Sequence, residues 1–114
     1  NWVTAGISLF CKRTSSREGI ALLFNFLSGL VSAKPFQNCT EYDCVDLVRI
    51  AVNNESYLAL LEKIIDKTLL YKLCAVFGSD SVLQKCLPFL SERQLEGVCH
   101  MCFRYDRIVE FHFL

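Results

Sequence analysis

The feature that most constrains the fold of this chain is a set of three polar residues at nearly equal spacing. Each of the three is followed by the same pattern of apolar residues. Ser16, Asn54 and Ser91 stand 38 and 37 residues apart. Ser and Asn are favoured at helix N-caps, because the side-chain oxygen accepts a hydrogen bond from a free backbone N–H. Apolar residues then fall four, seven and eleven positions after each cap, as expected of helices that bury one face. These positions hold Ile20, Leu23 and Leu27, then Leu58, Leu61 and Ile65, then Leu95, Val98 and Cys102.

The first third of the chain is predicted to contain two helices. The first runs from about Trp2 to Lys12. The second begins at or beside the first cap, because Ser15 with Glu18 three residues on matches a capping box, and Pro35 ends it. Its segment 19–33 is apolar almost all round, which predicts a buried helix.

A third helix is predicted between a second capping box, formed by Thr40 and Asp43, and the pair Asn53-Asn54. Asp43 and Asp46 could also be read as metal ligands. They lie, however, in the first turn and a half of this helix, where capping and the helix dipole favour Asp. We therefore expect a structural role for both carboxylates.

The second half of the chain continues the helical pattern. The segment 54–78 ends in a glycine that closes it, and Asp66-Lys67-Thr68 could divide it into two helices. Asp80 starts a short helix that Pro88 ends or kinks, and Ser91 caps the last one. We therefore expect an all-α fold of about six to seven helices, either stacked helical hairpins or an irregular helical bundle.

A helix pair repeated at this spacing resembles the HEAT and armadillo families, whose units run to about 40 to 47 residues. The resemblance depends on the spacing of the helix starts and covers most of the chain. It implies two to three stacked helix pairs that form a groove for a partner helix or peptide. An irregular bundle and a compact six-helix adaptor of the death-fold type remain as alternatives.

Length, composition and charge limit the class of protein. The 114 residues, of which 53% are hydrophobic and 21% charged, are enough for a single α-helical domain with a packed core. We expect this domain to come from a longer, intracellular protein. Twelve basic residues balance twelve acidic ones, so no nucleic-acid partner is expected, and the one basic cluster, Lys12, Arg13 and Arg17, is interpreted as a solvated helix end. The longest apolar segment falls short of the roughly 18 residues that cross a bilayer, so no membrane partner is expected.

Seven cysteines leave two chemical alternatives open. Cys39, Cys44, Cys99 and Cys102 form two close pairs, the arrangement that a structural zinc site uses. Seven cysteines with two glycosylation sequons, at Asn38 and Asn54, would instead suit a secreted, disulfide-bonded helical ligand, although the odd count leaves one thiol over. Against both alternatives, most of the cysteines occupy helix positions where a small apolar residue would fit.

The stretch Cys99-His100-Met101-Cys102 could also be read as a redox motif. It lies more than two turns into a helix, whereas reactive Cys-x-x-Cys pairs stand at helix N-termini. Aligning the three capped helices places Cys102 with Leu27 and Ile65, which predicts a buried thiol. The same alignment predicts a solvent-facing His100 and leaves Cys99 at the boundary.

These observations predict a non-catalytic protein-protein interaction module without a cofactor. Hydrolase, nucleotide-binding and metalloprotease motifs are absent from the sequence, so no enzymatic activity is expected. The expected partner is another protein or peptide, and self-association through the aromatic ends is a further expectation. The candidate partner-binding residues are Trp2, Phe10, Tyr105, Phe111 and Phe113.

Overall fold

The computed structural model describes residues 2–105, apart from the side chains of Trp2 and Asp80, and within this range the fold is all-α. Seven α-helices and two short 3-10 helices, Val31–Ala33 and Leu87–Phe89, make up the regular structure of these residues, which contain no strand. This confirms the predicted fold class and number of helices. The α-helices are α1 (Trp2–Arg13), α2 (Arg17–Ser28), α3 (Glu41–Ala51), α4 (Glu55–Ile64), α5 (Lys67–Phe77), α6 (Asp80–Cys86) and α7 (Glu92–Arg104).

The three predicted N-caps are confirmed. The side-chain oxygens of Ser16, Asn54 and Ser91 each accept a hydrogen bond from the backbone N–H three residues on, at 3.0, 3.1 and 3.3 Å. Asp66 caps α5 in the same way, so the segment 54–78 is divided where the sequence predicted. Local hydrogen-bonding chemistry therefore sets the start of α2, α4, α5 and α7.

Two predicted limits of the second helix are wrong. Ser15 and Glu18 do not form a capping box, because the cap is Ser16. The α-helix ends at Ser28 rather than continuing to Pro35, since Gly29 follows and glycine costs about 1 kcal/mol relative to alanine inside a helix. A 3-10 turn then leads to the proline.

The helices pack in a regular order. In one layer α1 packs on α3, α3 on α5 and α5 on α7, while α2 packs on α4, and α6 packs on α5. Helix α5 is the most enclosed, with all five residues from 73 to 77 buried. In the α2–α4 contact, the rings of Phe24 and Tyr57 stack with centroids 4.0 Å apart and planes 9° from parallel.

Polar contacts join the layer along its edge. The carboxylate of Asp46 in α3 accepts a hydrogen bond from the Ser8 hydroxyl of α1 at 2.8 Å and lies 3.8 Å from the Lys12 ammonium. Asp43 accepts from the backbone N–H of Thr40 at 3.0 Å, completing the predicted capping box. Both carboxylates thus have the structural roles that the sequence predicted.

Candidate functional site

The outer face of α2 is apolar and open to solvent. Leu22 and Phe26 are 67% and 56% exposed, although the segment 19–33 was predicted to be buried. That prediction is wrong for this face, because the buried residues of α2, namely Leu23, Phe24 and Leu27, all lie on its other side. Large apolar side chains that are exposed together mark interaction sites more often than isolated ones do.

The exposed face of α2 continues into a groove against α1. We call it the α1–α2 groove; it has a volume of about 580 Å³, and every residue of the described part of the chain that lines it is apolar or glycine. Its walls are formed chiefly by Val3, Ile7 and Phe10 of α1 and by Leu22, Phe26 and Leu30 in and after α2.

The wall residues of the groove recur at helical spacing on both sides. Successive positions are three or four residues apart, so each wall presents one side chain per helical turn. Gly6 also lines the groove, and a Cβ atom at this position would meet no atom within 4 Å. The groove therefore has open space along α1 as well as a continuous apolar surface.

Basic residues stand where α1 ends and α2 begins. Lys12, Arg13 and Arg17 are all exposed, and Glu18 is the one acidic residue in the sequences of the two helices. Lys12 and Arg13 follow the groove residue Phe10 by two and three positions. The predicted solvated helix end therefore lies close in the chain to the groove, although none of the three residues lines it and Lys12 is 3.8 Å from Asp46 of α3.

The predicted partner-binding residues are divided between regions of the structure. Phe10 lies in the α1–α2 groove. Tyr105 lies just after α7, at the other end of the layer, where its ring packs 5.3 Å from that of Phe77 and burial raises the pKa of its hydroxyl. The side chain of Trp2 lies outside the described part of the structure, as do Phe111 and Phe113 entirely. Phe10 and Tyr105 are thus not brought together.

The four cysteines of the zinc alternative do not form a metal site. The Cys39 thiol donates to the backbone oxygen of Pro35 at 4.0 Å, and burial, followed by the neighbouring Cys39, raises the pKa of Cys44 to about 12. Zinc binds the thiolate form, which this environment opposes. Cys99 and Cys102 add no further ligand, because no group of three or more potential metal ligands occurs anywhere in residues 2–105.

The predictions for the stretch 99–102 are confirmed. Cys102 is buried, His100 is exposed and Cys99 is half-buried.

The groove residues Leu22 and Phe26 were missed as site residues, although the apolar run around α2 was the signal that could have identified them. None of the described helices is long and apolar enough to span a membrane.

No protein-family model, curated protein or solved structure matches the chain.

Proposed function

We propose that this chain is a non-catalytic protein-protein interaction module whose α1–α2 groove binds an amphipathic, acidic helix of a partner protein. The observation that carries the proposal is the exposed apolar surface of Leu22 and Phe26 beside Phe10. Leaving such side chains in water is unfavourable, by about 25 cal/mol for each Å² of apolar surface. A partner that covers them recovers this free energy.

The spacing of the groove walls favours a helix as the occupant. Three side chains on each wall follow one another at single-turn intervals, so the apolar surface extends over roughly 10 Å along the helix axes. Partner helices bind apolar grooves through side chains at positions i, i+3 or i+4 and i+7, which extend over the same length. The absence of polar lining residues fits the apolar face of such a helix.

The nearby basic residues favour acidic residues on that partner. Arg13 and Arg17 lie close to Phe10 in the chain, and Lys12 is paired with Asp46 of α3, so with Glu18 this end of the helix pair keeps a small net positive charge. Opposite charges around an apolar contact steer association and select the partner, although they add less to affinity than the apolar anchors do.

The same charges argue against a second copy of this chain in the groove. In a two-fold symmetric dimer both copies use the same surface patch, so each copy would bring the same excess of basic residues, Arg13 and Arg17, to the contact. Like charges brought together in this way disfavour association. Self-association through this groove is therefore an outcome that would contradict the proposal.

The proposal is tested with two synthetic helical peptides that share leucines at i, i+4 and i+7. One peptide carries Glu at the positions flanking the leucines, and the other carries Lys there. Fluorescence anisotropy should show that the Glu peptide binds at least about tenfold more tightly at low salt, a difference of about 1.4 kcal/mol. The difference should shrink at 1 M salt, where the Debye length falls to about 3 Å.

Two exposed phenylalanines provide a matched pair of variants. Phe26→Ser removes an anchor from the groove and should weaken binding of the Glu peptide by about tenfold or more. Phe103→Ser removes a ring that is 87% exposed on α7 and should leave binding unchanged. Equal effects of the two variants, or Phe26-dependent binding to phosphatidylserine vesicles instead of the peptide, would contradict the proposed function.

We further propose that the layer of helices belongs to a helical array of the HEAT or armadillo kind in an intracellular protein. The stepwise packing of α1, α3, α5 and α7 supports this proposal. The equal spacing of the caps is weaker support, because the three capped helices do not pack equivalently. Helices α2 and α4 pack on each other, whereas α7 packs on α5.

A further inference from the structure

The α5–α6 hairpin brings two cysteines together that the sequence places twelve residues apart. Cys74 lies in α5 and Cys86 is the last residue of α6, and the two helices pack on each other. Both residues are buried, with 2% and 5% of their surface exposed, and each thiol shifts the pKa of the other. The packing of α5 on α6 therefore brings the two thiols to the same pocket of the hairpin, which is the first requirement for a disulfide between them.

A pocket connects this thiol pair to solvent. It has a volume of about 470 Å³ and opens between α4, α5 and α6. Cys74 and Cys86 both line it, together with Glu62, Tyr71 and Lys85. A small polar oxidant can therefore approach thiols that are otherwise enclosed by the core.

The two thiols differ in acidity. The pKa of Cys86 is lowered because its sulfur accepts a hydrogen bond from Cys74, an effect that outweighs burial and the nearby Glu62 carboxylate. The same hydrogen bond, followed by burial, raises the pKa of Cys74. Because the thiolate is the nucleophile, we expect Cys86 to react first with an oxidant and Cys74 to form the disulfide with the oxidised Cys86.

We propose that Cys74 and Cys86 form a reversible disulfide site that is oxidised by a hydroperoxide and reduced by a small thiol. The Cys86 thiolate attacks one oxygen of hydrogen peroxide, which forms an S–O bond, breaks the O–O bond and releases hydroxide. Cys74 then attacks the sulfur of the resulting sulfenic acid, which forms the S–S bond and releases a second hydroxide. The two thiol protons convert both hydroxides to water, so two thiols and one peroxide give one disulfide and two waters.

The pair formed by Cys39 and Cys44 is an internal control. Its thiols also affect each other's pKa, but burial is the main cause and raises the pKa of both, that of Cys44 to about 12. Neither thiol of this pair is readily ionised near neutral pH, so we expect it to react more slowly with peroxide than the first pair.

The test exposes the full chain to one equivalent of hydrogen peroxide, blocks the remaining thiols with iodoacetamide and digests the protein with trypsin. Cleavage after Lys72, Lys85 and Arg93 places Cys74 in peptide 73–85 and Cys86 in peptide 86–93. Mass spectrometry should find these two peptides joined, with the intact chain lighter by two hydrogens, and dithiothreitol should separate them again.

Variants test whether Cys86 takes part in the cross-link. Cys86→Ala should abolish the cross-link, whereas Cys99→Ala, at a half-buried position on α7, should leave it intact. Because the cross-link is first mapped in the unmodified chain, the test does not depend on the folding of either variant. A disulfide that forms first at Cys39 and Cys44, or a Cys86 that is oxidised to a sulfinic acid without joining Cys74, would overturn the proposal.

Discussion

Ser15 and Ser16 are neighbours with the same side chain, yet only Ser16 caps α2. Its hydroxyl lies 3.0 Å from the backbone nitrogen of Gly19, and its backbone has the extended conformation that an N-cap requires. The sequence identified both serines as candidate caps but could not decide between them. Three residues on, Ser15 has Glu18 and Ser16 has the backbone N–H of Gly19. The choice depends on where the turn after α1 ends.

Alanine substitutions separate the two serines. Ser16→Ala should lower the free energy of unfolding by about 1 kcal/mol, because it leaves the first-turn N–H groups of α2 without an acceptor. Ser15→Ala, one residue earlier and exposed, should change it by less than about 0.5 kcal/mol. Urea unfolding of both variants measures the difference, and equal losses would show that Ser16 is not the cap.

Burial at single positions could be predicted where helical spacing determines it. Leu61 and Val98 stand seven residues after their caps, and Leu27 stands eleven residues after its own. All three are fully buried. Cys102 follows the same pattern, which is why its burial could be predicted while its neighbour Cys99 remained undecided. Spacing fixes which face of a helix a residue occupies, and the cap fixes where the helix starts.

Helices α2 and α5 show where helical spacing stops being informative. Both are rich in apolar residues, but α5 contacts α3, α4, α6 and α7, whereas the packing of α2 is mainly on α4. An apolar face predicts a packing partner for the helix. It does not indicate whether that partner lies within the same domain or in another protein. The exposed residues Leu22 and Phe26 are the consequence for α2.

Two leucines on the same helix test this difference between faces. Leu27→Ala, at a fully buried position, should lower the free energy of unfolding by about 2–5 kcal/mol because it leaves a cavity. Leu22→Ala, at a position 67% exposed, should lower it by less than about 0.5 kcal/mol. Thermal or urea unfolding provides the comparison. A large loss for Leu22→Ala would place the outer face of α2 in the core of this domain.

Across the domain, the two proposed sites lie on different helix pairs. The α1–α2 groove is at the start of the layer, and the Cys74–Cys86 pocket lies between α4, α5 and α6. The pairing of these cysteines could not be predicted from the sequence, because it depends on how α6 folds back on α5. Each cysteine taken alone looks like a small apolar core residue.

The most direct test of the central claim, that the α1–α2 groove binds an acidic amphipathic helix, is an NMR titration of the isotopically labelled chain with the Glu peptide. The amide signals that shift should belong to residues 3–10 and 22–30, while those around Phe103 on α7 stay in place. Shifts centred on α7, or none in α1 and α2 at peptide concentrations that saturate binding, would contradict the account.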